Sequence, residues 1–185
     1  MPLAREPRGA LRSPLGSDDG TRFLRGTLIH RLLQTLPNME EPAREAAARR
    51  FLARPTHGLA PDQQDEIARE TLAVLADPRF APFFGPDSRA EVPVVGLVGR
   101  DRVIAGQVDR LVVAGDAVWI LDYKTNRPAP LVEDEVSPAY LQQMAAYRTA
   151  LRRIYPGRAV RCVLLWTDGP RPMPLSDAIL DRWAP

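Results

Sequence analysis

The chain of 185 residues holds one cysteine, Cys162, and one lysine, Lys124. A single cysteine excludes an internal disulfide framework, a four-cysteine zinc site and a self-contained iron–sulfur cluster. Cys162 sits in Val160-Arg161-Cys162-Val163-Leu164-Leu165 and reads as a buried strand residue rather than a nucleophile. No apolar run approaches 18 residues, so no membrane span or membrane partner is expected. Arg5, Arg8 and Arg12 are followed by no hydrophobic stretch, so the N-terminus is not a secretory signal and the cytoplasm is the expected location. No Gly-Lys pair occurs, which removes the phosphate-binding loop of a P-loop ATPase.

What remains is an ordinary globular composition, 45% apolar and 26% charged. All the other basic residues are arginine, an asymmetry that either reflects codon usage or leaves position 124 with a task only lysine performs. The formal charge is +4 over residues 1–60, −6 over 61–136 and +4 over 137–185. That is weak support for a cation-holding centre between polyanion-binding flanks.

Residues 1–20, rich in Pro, Gly, Arg and Ser, read as an arm, and 21–185 as one domain. Phe23, Leu24, Leu28, Ile29, Leu32, Leu33 and Leu36 recur at helical spacing, capped by Ser17, Asp18 or Asp19 and ended by Pro37. Further helices are expected from Pro42 to Ala53 and Pro61 to Ala76, then a Pro/Phe loop to Pro86. Strands are expected at Ala90–Val98, Val103–Val113, Ala117–Thr125 and Ala159–Thr167. An acidic loop from Asn126 leads to a helix from Pro138 to Ile154, capped by Ser137, and a short helix lies near Asp177–Trp183.

Gly115-Asp116 between two strand-like runs is a two-residue hairpin signal of type II′. If those residues are the loop, Ala114 pairs with Ala117 and Asp109 falls opposite Asp122. Opposed residues share a face, and Lys124, two positions on, points the same way. Tyr123 points the other way, with Trp119 and Leu121. Two facing carboxylates repel unless a positive charge stands between them. Lys124 alone, as a plain salt bridge, satisfies that need; so does a divalent cation with hard oxygen ligands.

Gly106-Gln107-Val108-Asp109, the hairpin, and Asp122-Tyr123-Lys124 together resemble the core of the PD-(D/E)XK nucleases. Gly26-Thr27-Leu28-Ile29-His30 upstream and Gln143-Met144-Ala145-Ala146-Tyr147 downstream resemble the RecB-like branch, and Glu91 stands where that branch has a strand glutamate. The surrounding wording is similar to the C-terminal nuclease domain of AddA-type bacterial helicase–nuclease subunits. The proline of the signature is replaced by Val108.

The resemblance implies an α/β, restriction-endonuclease-like fold: a central mixed β-sheet flanked by helices, with an N-terminal helical segment carrying the Gly-x-x-x-His motif. It implies a Mg2+-dependent DNA exonuclease, with Mn2+ or Ca2+ able to occupy the site. Lys124, Asp109 and Asp122 would be catalytic. His30, Asp109, Asp122 and the Tyr123 carbonyl would ligate the metal. Gln143 and Tyr147, with Arg148 and Arg152 on the same helix, would hold substrate. Glu91 is either a ligand or a structural support, and Gly26 supports the helix that carries His30. His57 matches no motif and reads as a loop residue. The implied partners are DNA, the helicase portion of the same polypeptide and a second subunit of AddB type, in double-strand break repair and recombination. This chain would then be an excised domain, its first 20 residues the end of a linker. The alternative is a catalytically idle DNA-binding or docking module that keeps the fold.

Overall fold

The computed structural model describes residues 20–98 and 102–185. Three helices come first: α1 (Gly20–Thr35), α2 (Glu41–Leu52) and α3 (Pro61–Ala76). Five strands follow, β1 (Ser88–Val98), β2 (Arg102–Ala114), β3 (Ala117–Lys124), β4 (Ala159–Trp166) and β5 (Arg171–Leu175). Helix α4 (Pro138–Ile154) lies between β3 and β4, and α5 (Asp177–Arg182) closes the chain. The sheet order is β1-β2-β3-β4-β5. Only β3 and β4 are parallel. Parallel neighbours need a crossover, and α4 supplies it. The expected mixed sheet flanked by helices is the observed one.

Both faces of the sheet are covered. On one, Val118, Ile120 and Leu164 meet Leu141, Met144 and Ala145 of α4. On the other, Leu121, Tyr123, Val163 and Leu165 meet Leu28, Ile29, Leu32 and Leu33 of α1 and Ile67 of α3. Strands buried on both sides read as continuous apolar runs, as β4 does. Its one cysteine, Cys162, is buried in the α4-side core. Among the described residues no helix is long and apolar enough to cross a membrane.

The hairpin register runs as the turn requires, from Ala114↔Ala117 to Arg110↔Leu121. Gly115 takes φ +57° and Asp116 stays at negative φ, which fits a II′ rather than a I′ turn. Several expectations need correction. The Pro/Phe segment is a 3-10 helix, Pro78–Phe84, started by the Asp77 carboxylate accepting from the Arg79 N–H at 2.9 Å. Ser137 stands at the N-cap of α4, but its side chain makes no capping bond. Phe23 is 54% exposed and not in the core. Strand β5 was not expected, because Pro172 and Pro174 argue against a strand. It is an edge strand, where a missing N–H is tolerated, and Met173 and Leu175 alternate inward. The expected caps of α1 and nearly all of the 1–20 arm lie outside the described residues.

Candidate active site

The site forms where β2 and β3 part. Their ladder stops at Arg110↔Leu121. Beyond it the Asp109 carboxylate replaces the missing main-chain bond, accepting from the Tyr123 N–H at 2.7 Å. The alternation of β2 slips here: Val108 and Leu111, three apart, both pack on the α4 side. Arg110 turns to the α1 side, its guanidinium donating to the Tyr123 hydroxyl at 3.0 Å and the Leu33 carbonyl at 2.8 Å. The neighbouring strand is distorted at the same level. Ala90↔Arg110 and Val92↔Val108 pair, with Glu91 between them at φ +54°. A β-region residue avoids that conformation without local compensation, and such strain gathers at functional sites.

A cleft of about 1480 Å³ opens at this fork, lined by α1, β1, β2, the end of β3 and α4. His30, Glu91, Asp109, Asp122, Lys124, Gln143 and Tyr147 all line it. His30 reaches it from α1, its Nδ1 3.2 Å from Asp109 Oδ1 and its ring edge-on to Tyr123. Gly26, one turn earlier, lets α1 approach β3: a Cβ there would lie 3.0 Å from Thr125 Oγ1. Lys124 Nζ stands 2.5 Å from Asp122 Oδ2, 3.5 Å from Gln143 Oε1 and 3.9 Å from the Tyr140 ring centroid. Tyr140, Gln143 and Tyr147 share one face of α4. Tyr140 was missed in the sequence, although its spacing from Gln143 was there to be read.

Tyr147 fixes the other wall. Its hydroxyl accepts from the Gln107 N–H and donates to the Gln107 carbonyl, both at 3.1 Å, and Gln143 donates to it at 3.3 Å. Gly106 is required at this contact, since a Cβ would come within 2.8 Å of Tyr147 Cε1.

The electrostatics follow from burial against pairing. Burial disfavours the Lys124 ammonium, but Asp122 and then Asp109 outweigh it and raise its pKa. His30 is likewise opposed by burial and held above its usual range by Asp109. Burial and the Asp109 charge push Glu91 up.

Among the described residues, no three His, Cys, Asp or Glu side chains converge as a metal-ligand set. His30 is turned onto Asp109 and Lys124 onto Asp122, so the charges satisfy one another. The donor chemistry nevertheless fits a hard divalent cation. Asp122 Oδ2 is buried and lacks a hydrogen bond of acceptable geometry despite the ammonium beside it. An under-coordinated carboxylate oxygen is what such a cation takes.

Two expected substrate contacts are not in the cleft. Arg148 is 1% exposed and pairs with Asp177 (2.6 Å) and Asp181 of α5, while Arg152 pairs with the same Asp177 at 3.0 Å. They face α5 because Gln143 and Tyr147 occupy the site-facing stripe of α4. A third cluster was missed altogether. Glu70 of α3 is buried and accepts from Arg25 of α1, from Arg127 after β3 at 2.8 Å and from the Thr167 hydroxyl at 2.5 Å. Arg25 also donates to the Thr125 carbonyl at 2.9 Å. This network ties the helix bearing His30 to the segment following Lys124.

A mixed sheet with a hairpin fork, acids at the fork and a crossover helix beside it define a restriction-endonuclease-like fold. A sequence model of the PD-(D/E)XK nuclease superfamily matches residues 6–174. The chain belongs to that superfamily. No curated protein matches it. A candidate exonuclease from Eubacterium rectale superposes with TM-score 0.58 at 12% identity, over 91% of this chain and 64% of that one. A protein designated SSO0001 gives TM-score 0.36 at 15% identity over 91% and 85% of the two chains. Protein VC1899 from Vibrio cholerae gives 0.33 at 16% over 90% and 50%. At 12% identity the first shows a shared fold, and this chain spans 64% of its length.

Proposed function

We propose that this nuclease-fold domain hydrolyses DNA phosphodiester bonds with Mg2+ as cofactor. The observation that carries the reading is the meeting of Asp109, Asp122 and Lys124 in one open cleft at the β2–β3 fork. Asp109 and Asp122 would hold the cation, with His30 and the Tyr123 carbonyl completing its ligands. When bound, the cation polarises the phosphate and lowers the pKa of its water. Lys124 donates from a compact ammonium to the attacking water or to a phosphate oxygen, and Gln143 and Tyr140 hold it in position. Tyr147 keeps the β2 wall at its distance through Gln107.

The finer reading is an exonuclease domain of a helicase–nuclease that acts in double-strand break repair and recombination, with the motor in the same polypeptide and an AddB-type second subunit. Its support is the order of motifs from Gly26 to Tyr147, together with a fold shared with a protein described as a candidate exonuclease.

The test is degradation of linear DNA with and without Mg2+. Lys124→Ala, Lys124→Arg and Asp122→Asn should each lose at least about 10²-fold in rate, the scale of a positioned proton-handling group. Cleavage that persists in Lys124→Ala and Asp122→Asn overturns the assignment. Binding without cleavage by the wild type establishes the idle module instead.

A further inference from the structure

The cleft extends well past the acidic pair. Phe23, Thr27, His30 and Gln34 lie on one stripe of α1, opposite the buried stripe of Leu28, Ile29, Leu32 and Leu33, and all four line the cleft. Phe23 is 54% exposed. It lies about 10 Å along the helix axis from His30, at 1.5 Å per residue. Phe51 of α2 and His57 line the same cleft. Their rings are 4.8 Å apart, tilted by 54°, and the Arg54 guanidinium lies 5.0 Å over Phe51. His57 Nε2 is shielded from water and has no hydrogen-bond partner among the described residues. Arg31 joins the same wall, its guanidinium 2.7 Å from Gln34 Oε1.

We propose that this end of the cleft is a subsite for an unpaired nucleobase, with Phe23 stacking on a base one or two nucleotides from the phosphate held at Asp109 and Asp122. The inference rests on the nuclease reading above and sharpens its substrate to single-stranded DNA. An exposed aromatic side chain in a cleft that further rings and arginines also line is the composition that binds single strands. Every base offers a π-face, so the contact is indifferent to sequence. In a duplex those faces are covered by neighbouring pairs, so only an unstacked strand presents one. Phe51 and His57 add a second aromatic surface to the lining of the same cleft.

The experiment is fluorescence anisotropy on the full chain in EDTA, with labelled oligo-dT and an abasic strand of equal length. The wild type should bind oligo-dT more tightly than the abasic strand. Phe23→Ala should weaken oligo-dT by about 5- to 150-fold, the effect of losing one base–aromatic stack, and leave the abasic strand nearly unchanged. Phe23→Trp should retain the preference. Equal loss on both strands, no loss on either, or no preference in the wild type overturns the subsite. Cleavage in Mg2+ is scored separately. A Phe23-dependent preference without cleavage leaves the subsite standing and removes the nuclease reading. Cleavage without the preference does the reverse.

Discussion

Glu70→Gln should destabilise the domain by about 2–4 kcal/mol, estimated from its partners. The Glu70 side chain is 6% exposed and joins four segments through Arg25, Arg127 and Thr167. Glutamine keeps the shape but removes the charge, so the two arginines lose a charged acceptor even where the amide NH2 donates to the Thr167 hydroxyl. A hydrogen bond to a charged group contributes about 1.5–3 kcal/mol net. Removing one partner of a buried ion pair costs about 3–5 kcal/mol. The Arg127 share is smaller. Its side chain is 40% exposed and keeps Glu66 and Asp168, so its part falls toward the surface value of under about 1 kcal/mol. Urea unfolding followed by far-UV circular dichroism measures the change as a shift in midpoint at unchanged slope. Glu66→Gln is the control, its carboxylate 43% exposed on the same arginine, and should cost less than about 1 kcal/mol. A Glu70→Gln loss no larger than the Glu66→Gln loss refutes the argument. If the nuclease reading holds, cleavage should also fall in folded Glu70→Gln, because Arg25 and His30 share α1 and Thr125 follows Lys124; small misplacements of reacting groups cost rate steeply.

Gly106→Ala should cost about 1–3 kcal/mol, the usual effect of overpacking, since the new Cβ falls 2.8 Å and 2.9 Å from Tyr147 Cε1 and Cζ; thermal unfolding measures it, and Tyr147→Leu in the same chain should return part of the loss. Burial pushes the Cys162 thiol up to about 12, so a thiol reagent at neutral pH should label the chain only on unfolding. The native state therefore holds that proton longer than the unfolded chain: this contribution is complete below the ordinary thiol pKa of 9.0 and is lost as pH rises toward 12, a loss that Cys162→Ala should abolish in alkaline unfolding curves. Arg148→Met should lower stability by about 1–3 kcal/mol, because the two aspartates left behind are solvated and bear little of the cost of a broken buried pair; it should leave DNA affinity unchanged, and a weakened affinity in anisotropy would return Arg148 to the binding surface.

The hairpin was legible because its turn is local: two residues, Gly115 and Asp116, set the register of a strand pair as far as Arg110↔Leu121, one step short of the acids. Counting fails where alternation slips. Arg110, opposite Leu121, faces α1 as counting requires, but nothing in Gln107-Val108-Asp109-Arg110 announces that Val108 joins Leu111 on the α4 side. Helical periodicity likewise fixed the stripes of α4 without saying which neighbour each would meet, so Arg148 and Arg152 were placed on the substrate when α5 takes them. Glu70 had no local signal at all. Its partners lie 45, 57 and 97 residues away, and no short window contains the network.

The single lysine is where composition and geometry meet. Arginine replaces lysine cheaply on a solvated surface, and this chain uses it everywhere else. At position 124 the charge lies within 4 Å of three different groups: Asp122 Oδ2 at 2.5 Å, Gln143 Oε1 at 3.5 Å and the Tyr140 ring at 3.9 Å, on a side chain 7% exposed. A tetrahedral ammonium reaches all three from one atom. A planar guanidinium spreads its donors over a fork and does not meet all three from one point. The one basic position that is not arginine is therefore the one where an arginine fits worst.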